Sequence, residues 1–172
     1  MPYDSHQASS PPKPIEPTGF FTGIQFRPIL TGAIVDFIAS FALTTFYYGF
    51  YVAPKAGAAA AFEEEAAKFW VTSEGLVAGL LLGSLGTLIG GAYAAYKAGT
   101  LQMKHGALVG VASILLGLLM QPGDSANQVP EWFLALSFAA AIPAGAMGGF
   151  FAEMFSGMTG KKSSPTASFP DR

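Results

Sequence analysis

Four stretches of the chain are strongly apolar and almost free of charge. From Gly75 to Tyr96, and again from Gly106 to Gln121, there is no Asp, Glu, Lys or Arg. Two further runs are comparable, PILTGAIVDFIASFALTTFYYGFYV from Pro28 and EWFLALSFAAAIPAGAMGGFFAEMF from Glu131. A helix of about 20 residues crosses the ~30 Å hydrocarbon layer of a bilayer. The pattern therefore predicts four membrane spans, over residues 28–52, 73–96, 103–121 and 131–155. Helices are expected rather than strands, because no segment alternates with period 2 as barrel strands do, and lipid-exposed backbone must satisfy its own hydrogen bonds. Between the first two runs, KAGAAAAFEEEAAKFW is rich in helix formers and sets Glu64 four residues before Lys68. That segment predicts a short connecting helix over 58–69. Residues 1–26, with Pro11, Pro12, Pro14 and Pro17, and residues 158–172 read as disordered tails flanking a membrane domain at 27–157.

Composition strengthens the membrane reading. Of 172 residues, 51% are hydrophobic and 12% charged, about half the charged share of a soluble domain. Cysteine is absent, which excludes disulfides, thiolate metal sites and cysteine nucleophiles. A formal charge of −2 gives no reason to expect nucleic acid as a partner. The first residues lack the basic stretch and apolar core of a signal peptide. Basic residues then orient the chain. Lys13 and Arg27 precede the first span, Lys97 and Lys104 lie between the second and third, and Lys161 and Lys162 follow the fourth. Because Lys and Arg favour the cytoplasmic side, both termini are expected there. Tyr47, Tyr48, Tyr51, Trp70 and Trp132 then fall at the outer interface.

The two halves echo one another. GAIV at Gly32 resembles GALV at Gly106, and IGGAYAAYKAG at Ile89 resembles MGGFFAEMFSG at Met147. These matches predict an all-α integral membrane four-helix bundle built as a tandem repeat of a two-helix hairpin. Its pseudo-twofold axis would lie along the membrane normal, as in parallel repeats. Glycines spaced by four suggest how the helices meet. Gly75, Gly79 and Gly83 form one row in the second span, with Gly86 and Gly90 beside it. Gly106 with Gly110, and Ala141 with Gly145 and Gly149, form rows in the third and fourth. Small-xxx-small rows let backbones approach closely, so all of these glycines are expected to pack helix against helix.

Candidate chemistry is sparse. Asp36 comes nine positions after Arg27, about 13 Å along a helix. A carboxyl at that depth costs roughly 2.5–3.5 kcal/mol on insertion scales, so it is expected to face the bundle. There it either serves as a proton or cation site or is bonded to a hydroxyl such as Thr31, Ser40 or Ser113, fixing helix register. Glu74, Glu153 and His105 are secondary candidates. Glu74 and Glu131 open spans, where a carboxylate suits the helix N-terminus, and Thr72 or Ser73 could cap the second span. Glu153 could pair with Lys97, Lys104 or His105. Pro143 should kink the fourth span. His105 alone makes no metal site, no cofactor is implied, and no Walker lysine, nucleophile elbow or HExxH pattern occurs.

The run GGAYAAYKAG followed by Lys104, His105 and Gly106 resembles a signature of small uncharacterised bacterial inner-membrane proteins with four spans. In these, Gly-Gly-x-x-Ala leads through a short basic turn to His-Gly at the next span. The resemblance implies a bacterial cytoplasmic-membrane location and brings no activity or site residue. The expected role is non-enzymatic: a helix-packing accessory or homo-oligomeric component in the lipid bilayer, alone or with a membrane-protein partner. The competing expectation is a small oligomeric transporter or channel passing protons, cations or a small solute at Asp36.

Overall fold

A computed structural model describes residues 19, 21–56, 62–120 and 129–158 of the chain, and within these it is all-helical. Helix α1 runs Phe26–Tyr47, passes through a π-helical turn at Tyr48–Val52 and continues as α2, Ala53–Ala56. Then come α3 (Phe62–Trp70), α4 (Ser73–Ala98), α5 (Gln102–Leu119) and α6 (Glu131–Met158). Four helices are long and apolar enough to cross a membrane: Phe26–Lys55, Ser73–Ala98, Gln102–Leu119 and Glu131–Met158. The chain therefore has the form of a multi-pass membrane protein.

Local signals set the boundaries. Thr72 is extended, and its Oγ accepts the Gly75 N–H at 3.1 Å, capping α4. The other end of α4 stops at Gly99, whose φ of 67° is the left-handed conformation glycine adopts freely. Leu101, with φ 46°, makes the turn into α5 at some backbone cost. On α3, Lys68 Nζ lies 2.9 Å from Glu64 and 3.1 Å from Glu65. Its hydrogen bond and charge hold the Glu64 carboxyl below its ordinary range, while both glutamates raise Lys68. Lys68 and Glu64 are exposed and Glu65 is partly exposed, so the pairs orient the connector more than they stabilise it.

Spans adjacent in sequence pack antiparallel; α1 lies on one flank of α4, α6 on its other flank, and α5 against all three. The interior inverts the soluble pattern. Most buried positions are small or polar, among them Gly32, Ala33, Gly90, Ala94, Ala95, His105 and Gly149. Large side chains such as Ile38, Phe41, Leu81 and Phe150 face outward. Lipid is as apolar as a leucine side chain, so close backbone approach does what hydrophobic burial does in water.

That close approach is confined to one half of the bundle, the half nearest Arg27, Lys97 and Lys104. A Cβ on Gly90 would lie 2.6 Å from the Asp36 Cβ, and one on Gly149 would lie 2.6 Å from the Gln102 carbonyl oxygen. Gly86, Gly106, Gly110 and Gly145 likewise leave no room for a methyl group. Gly91 and Gly148 join them, pressed against α6 and α4 respectively.

The expected row of Gly75, Gly79 and Gly83 behaves differently. Gly75 meets the Phe69 backbone in the turn before its own helix, Gly79 only grazes the Trp70 ring at 3.9 Å, and Gly83 has nothing within 4 Å. These three do not join one span to another, because the helices diverge in that half. The sequence pattern repeats there, but no partner backbone follows it.

One further expectation is corrected. Residues 21–25, placed in the N-terminal tail, form turns through Ile24 N–H to the Phe21 carbonyl and lead directly into α1. Helix α6 continues through Pro143 as one element. The remainder of both tails and residues 57–61, which the predicted connector partly covered, lie outside the described residues.

Candidate functional site

Asp36 sits where three helices meet. It stands about 15 Å along α1 from Phe26, at ~1.5 Å per residue. Thr87 stands about 16 Å along α4 from Ala98, and Ser113 about 16 Å along α5 from Gln102, on the same rise. The start of α1, the end of α4 and the start of α5 share one end of the bundle, so equal depth brings these side chains into one layer.

The Asp36 side chain is buried. Ser40 Oγ donates to its Oδ1 at 3.1 Å, Thr87 Oγ1 reaches Oδ2 at 3.3 Å, and Ser113 Oγ bonds Oδ2 as well. A carboxyl desolvated in this layer is thus supplied with a donor from each helix around it, which removes most of the penalty for an unpartnered buried polar group. Of the hydroxyls the sequence offered, Ser40 and Ser113 do bond Asp36. Thr31 does not: it turns back to the Arg27 and Pro28 carbonyls at 3.0 and 3.1 Å. Thr87 was missed, although its depth along α4 matches that of Asp36 along α1.

Beyond Asp36 the helices part around a cavity of about 420 Å³. Its lining extends from Asp36, Thr87 and Ser113 to Gly79, Met120 and Ser137, near the opposite end of the bundle. Apolar wall comes from Phe37, Leu80, Ile114, Leu116 and Phe138, and further hydroxyls from Ser84 and Ser137. Gly83 and Gly117 face this space, which is why an added Cβ on either meets nothing. Behind Asp36 the way is shut by Gly32, which packs against both Gly90 and Val109. The cavity is therefore blind, with the carboxyl at its closed end.

His105 is placed elsewhere. It is fully buried at the start of α5, where its Nε2 accepts the Gln25 N–H at 2.9 Å and its Nδ1 faces the Leu101 carbonyl at 3.1 Å. An acceptor at Nε2 and a donor at Nδ1 describe the neutral Nδ1–H tautomer. The Gln25 side chain also donates to the Ala98 carbonyl at 3.2 Å. Together these bonds fasten the start of α1 to the turn between α4 and α5. The role is structural, and the expected pairing of His105 with Glu153 does not form, because both ring nitrogens are committed to backbone.

The remaining candidates lie apart from Asp36. Glu74 and Glu131 occupy the first turns of α4 and α6, and Glu153 is exposed on α6. Lys97 lies 5.8 Å from the Tyr93 ring centre. Gln102 on α5 donates to Ser156 on α6 at 3.3 Å. At the far end Tyr48 is buried beside Phe69 and Trp70, with ring centres 6.0 and 6.5 Å away. Among the described residues no three His, Asp or Glu side chains gather as a metal site would require. Compared with known proteins, the chain matches no family model, no curated protein and no solved structure significantly.

Proposed function

We propose that the protein is a non-enzymatic, multi-pass component of a bacterial cytoplasmic membrane, working through its helix surfaces as a homo-oligomer or with another membrane protein. The observation that carries this reading is the division of its surfaces. Glycine contacts join the helices within the bundle, while Leu115, Leu118 and Leu119 of α5 and much of α1 expose large apolar side chains. Helix faces of that kind are open to lipid or to another helix. The basic residues at the Arg27–Lys97–Lys104 end favour a cytoplasmic position for it and for both termini. A duplicated hairpin would account for the echo of GAIV at Gly32 in GALV at Gly106 and of IGGAYAAYKAG at Ile89 in MGGFFAEMFSG at Met147. Gentle extraction into nanodiscs followed by mass measurement should give a particle of two or more chains, or one chain with a companion. A strictly monomeric, unaccompanied particle would sink this reading.

A second reading is favoured by the blind cavity. A proton, cation or small solute could enter it as far as Asp36 and pass on only if α1 and α4 separate at Gly32 and Gly90. Liposomes holding the native protein should then leak faster than empty ones, and Asp36→Asn should remove the difference. Equal flux from native, variant and empty vesicles would exclude transport by this route.

A further inference from the structure

The cavity ending at Asp36 has a size, a wall and a floor that together specify a class of ligand. Its volume of about 420 Å³ falls within the range of roughly 300–1,000 Å³ typical of small-molecule sites. The wall is apolar, with Phe37, Leu80, Ile114 and Phe138. The floor is Asp36, only 5% exposed, and no Lys, Arg or His is among the described residues lining the space. A carboxylate taken out of water is stabilised by a countercharge, and the described residues of the wall carry none.

The hydroxyls around Asp36 are arranged so that a ligand can supply it. Thr87 Oγ1 lies 3.0 Å from the Gly83 carbonyl as well as beside Asp36, and Ser113 Oγ lies 2.9 Å from the Val109 carbonyl. Each hydroxyl has a single proton. Turning that proton to the carbonyl on its own helix frees a carboxylate lone pair and leaves no donor unsatisfied. Asp36 can thus exchange hydroxyl donors for a ligand's donors without a change of fold.

We propose that this cavity binds a small lipophilic organic ammonium ion, its head on Asp36 and its apolar body against Phe37, Leu80, Ile114 and Phe138. A neutral molecule of the same shape gains the wall but not the charge-assisted bonds, and an anion meets the wrong sign at the floor. The site requires neither assembly nor conduction, so binding is read without any flux or mass measurement.

The test uses the full chain in nanodiscs and three probes of one shape: cyclohexylmethylamine, cyclohexylmethanol and cyclohexanecarboxylate, titrated calorimetrically against empty nanodiscs. The amine should bind about tenfold tighter than the alcohol, the difference a charged hydrogen bond makes, and the carboxylate should not bind. Asp36→Asn should bring the amine down to the level of the alcohol while the alcohol still binds. Gly83→Leu places its side chain in the open space and should abolish both. No amine binding to the native protein, equal binding of amine and alcohol, or an amine advantage that survives Asp36→Asn would each overturn the proposal. Should Asp36→Asn lose the alcohol too, Gly83→Leu decides. Amine binding that persists in it overturns the site, and loss at an unchanged melting temperature supports it.

Discussion

Asp36 and His105 are both polar residues buried among membrane helices, yet their surroundings give them opposite characters. Two of the three hydroxyls that hold Asp36, those of Thr87 and Ser113, have other acceptors within reach, so its layer can rearrange. His105 is held by backbone at both nitrogens and has no such freedom. Removing the ring in His105→Ala leaves the Gln25 N–H without an acceptor, a loss of about 1–3 kcal/mol for a buried donor. His105→Gln keeps an oxygen where Nε2 stood, and the Leu101 carbonyl retains the His105 backbone N–H at 3.1 Å. Thermal denaturation in detergent should therefore rank native above Gln and Gln above Ala. A Gln variant as unstable as Ala would show that the Gln25 bond contributes little.

At the scale of the element, one residue type has two meanings along the same bundle. Gly145 faces the Gly106 carbonyl and lies 3.1 Å, measured from its added Cβ, from the Gly110 nitrogen. Both are backbone atoms that cannot swing aside. Gly145→Ala should force α5 and α6 apart and cost about 1–3 kcal/mol, the usual range for overpacking. Gly83→Ala meets open space and should be neutral, or stabilising by up to about 1 kcal/mol through helix propensity. Comparing the two melting temperatures tests whether the bundle is closed at one end and open at the other. Equal losses would contradict that shape. The π-helical turn at Tyr48–Val52 belongs to the same divide. It shifts the phase of α1 by one residue where the helix leaves the glycine contacts, and Tyr48 turns inward beside Trp70.

For the whole molecule, four antiparallel crossings put the start of α1 and the end of α6 on the same side. A reporter active on one side only, fused in turn to each terminus, should give the same reading twice, and the cytoplasmic one if the basic residues orient the chain. Opposite readings would break the four-span architecture; a shared external reading would reverse only the orientation. Because cysteine is absent, single-cysteine labelling of the loops can check the result without background.

The apolar runs by themselves determined that the chain is helical, that four helices are long enough to span a membrane, and nearly where each begins. Those properties follow from local content: run length, missing charge, a Thr at one end and a Gly at the other. The burial of Asp36 was legible for the same reason, since a carboxyl at that depth cannot face lipid. Only the tertiary structure decided that Thr87 completes its partners, that His105 and Gln25 clasp the closed end, and that Gly79 and Gly83 look into a cavity instead of a neighbouring helix. Glycine spacing records where a backbone could approach, and the divergence of the helices determines whether one does.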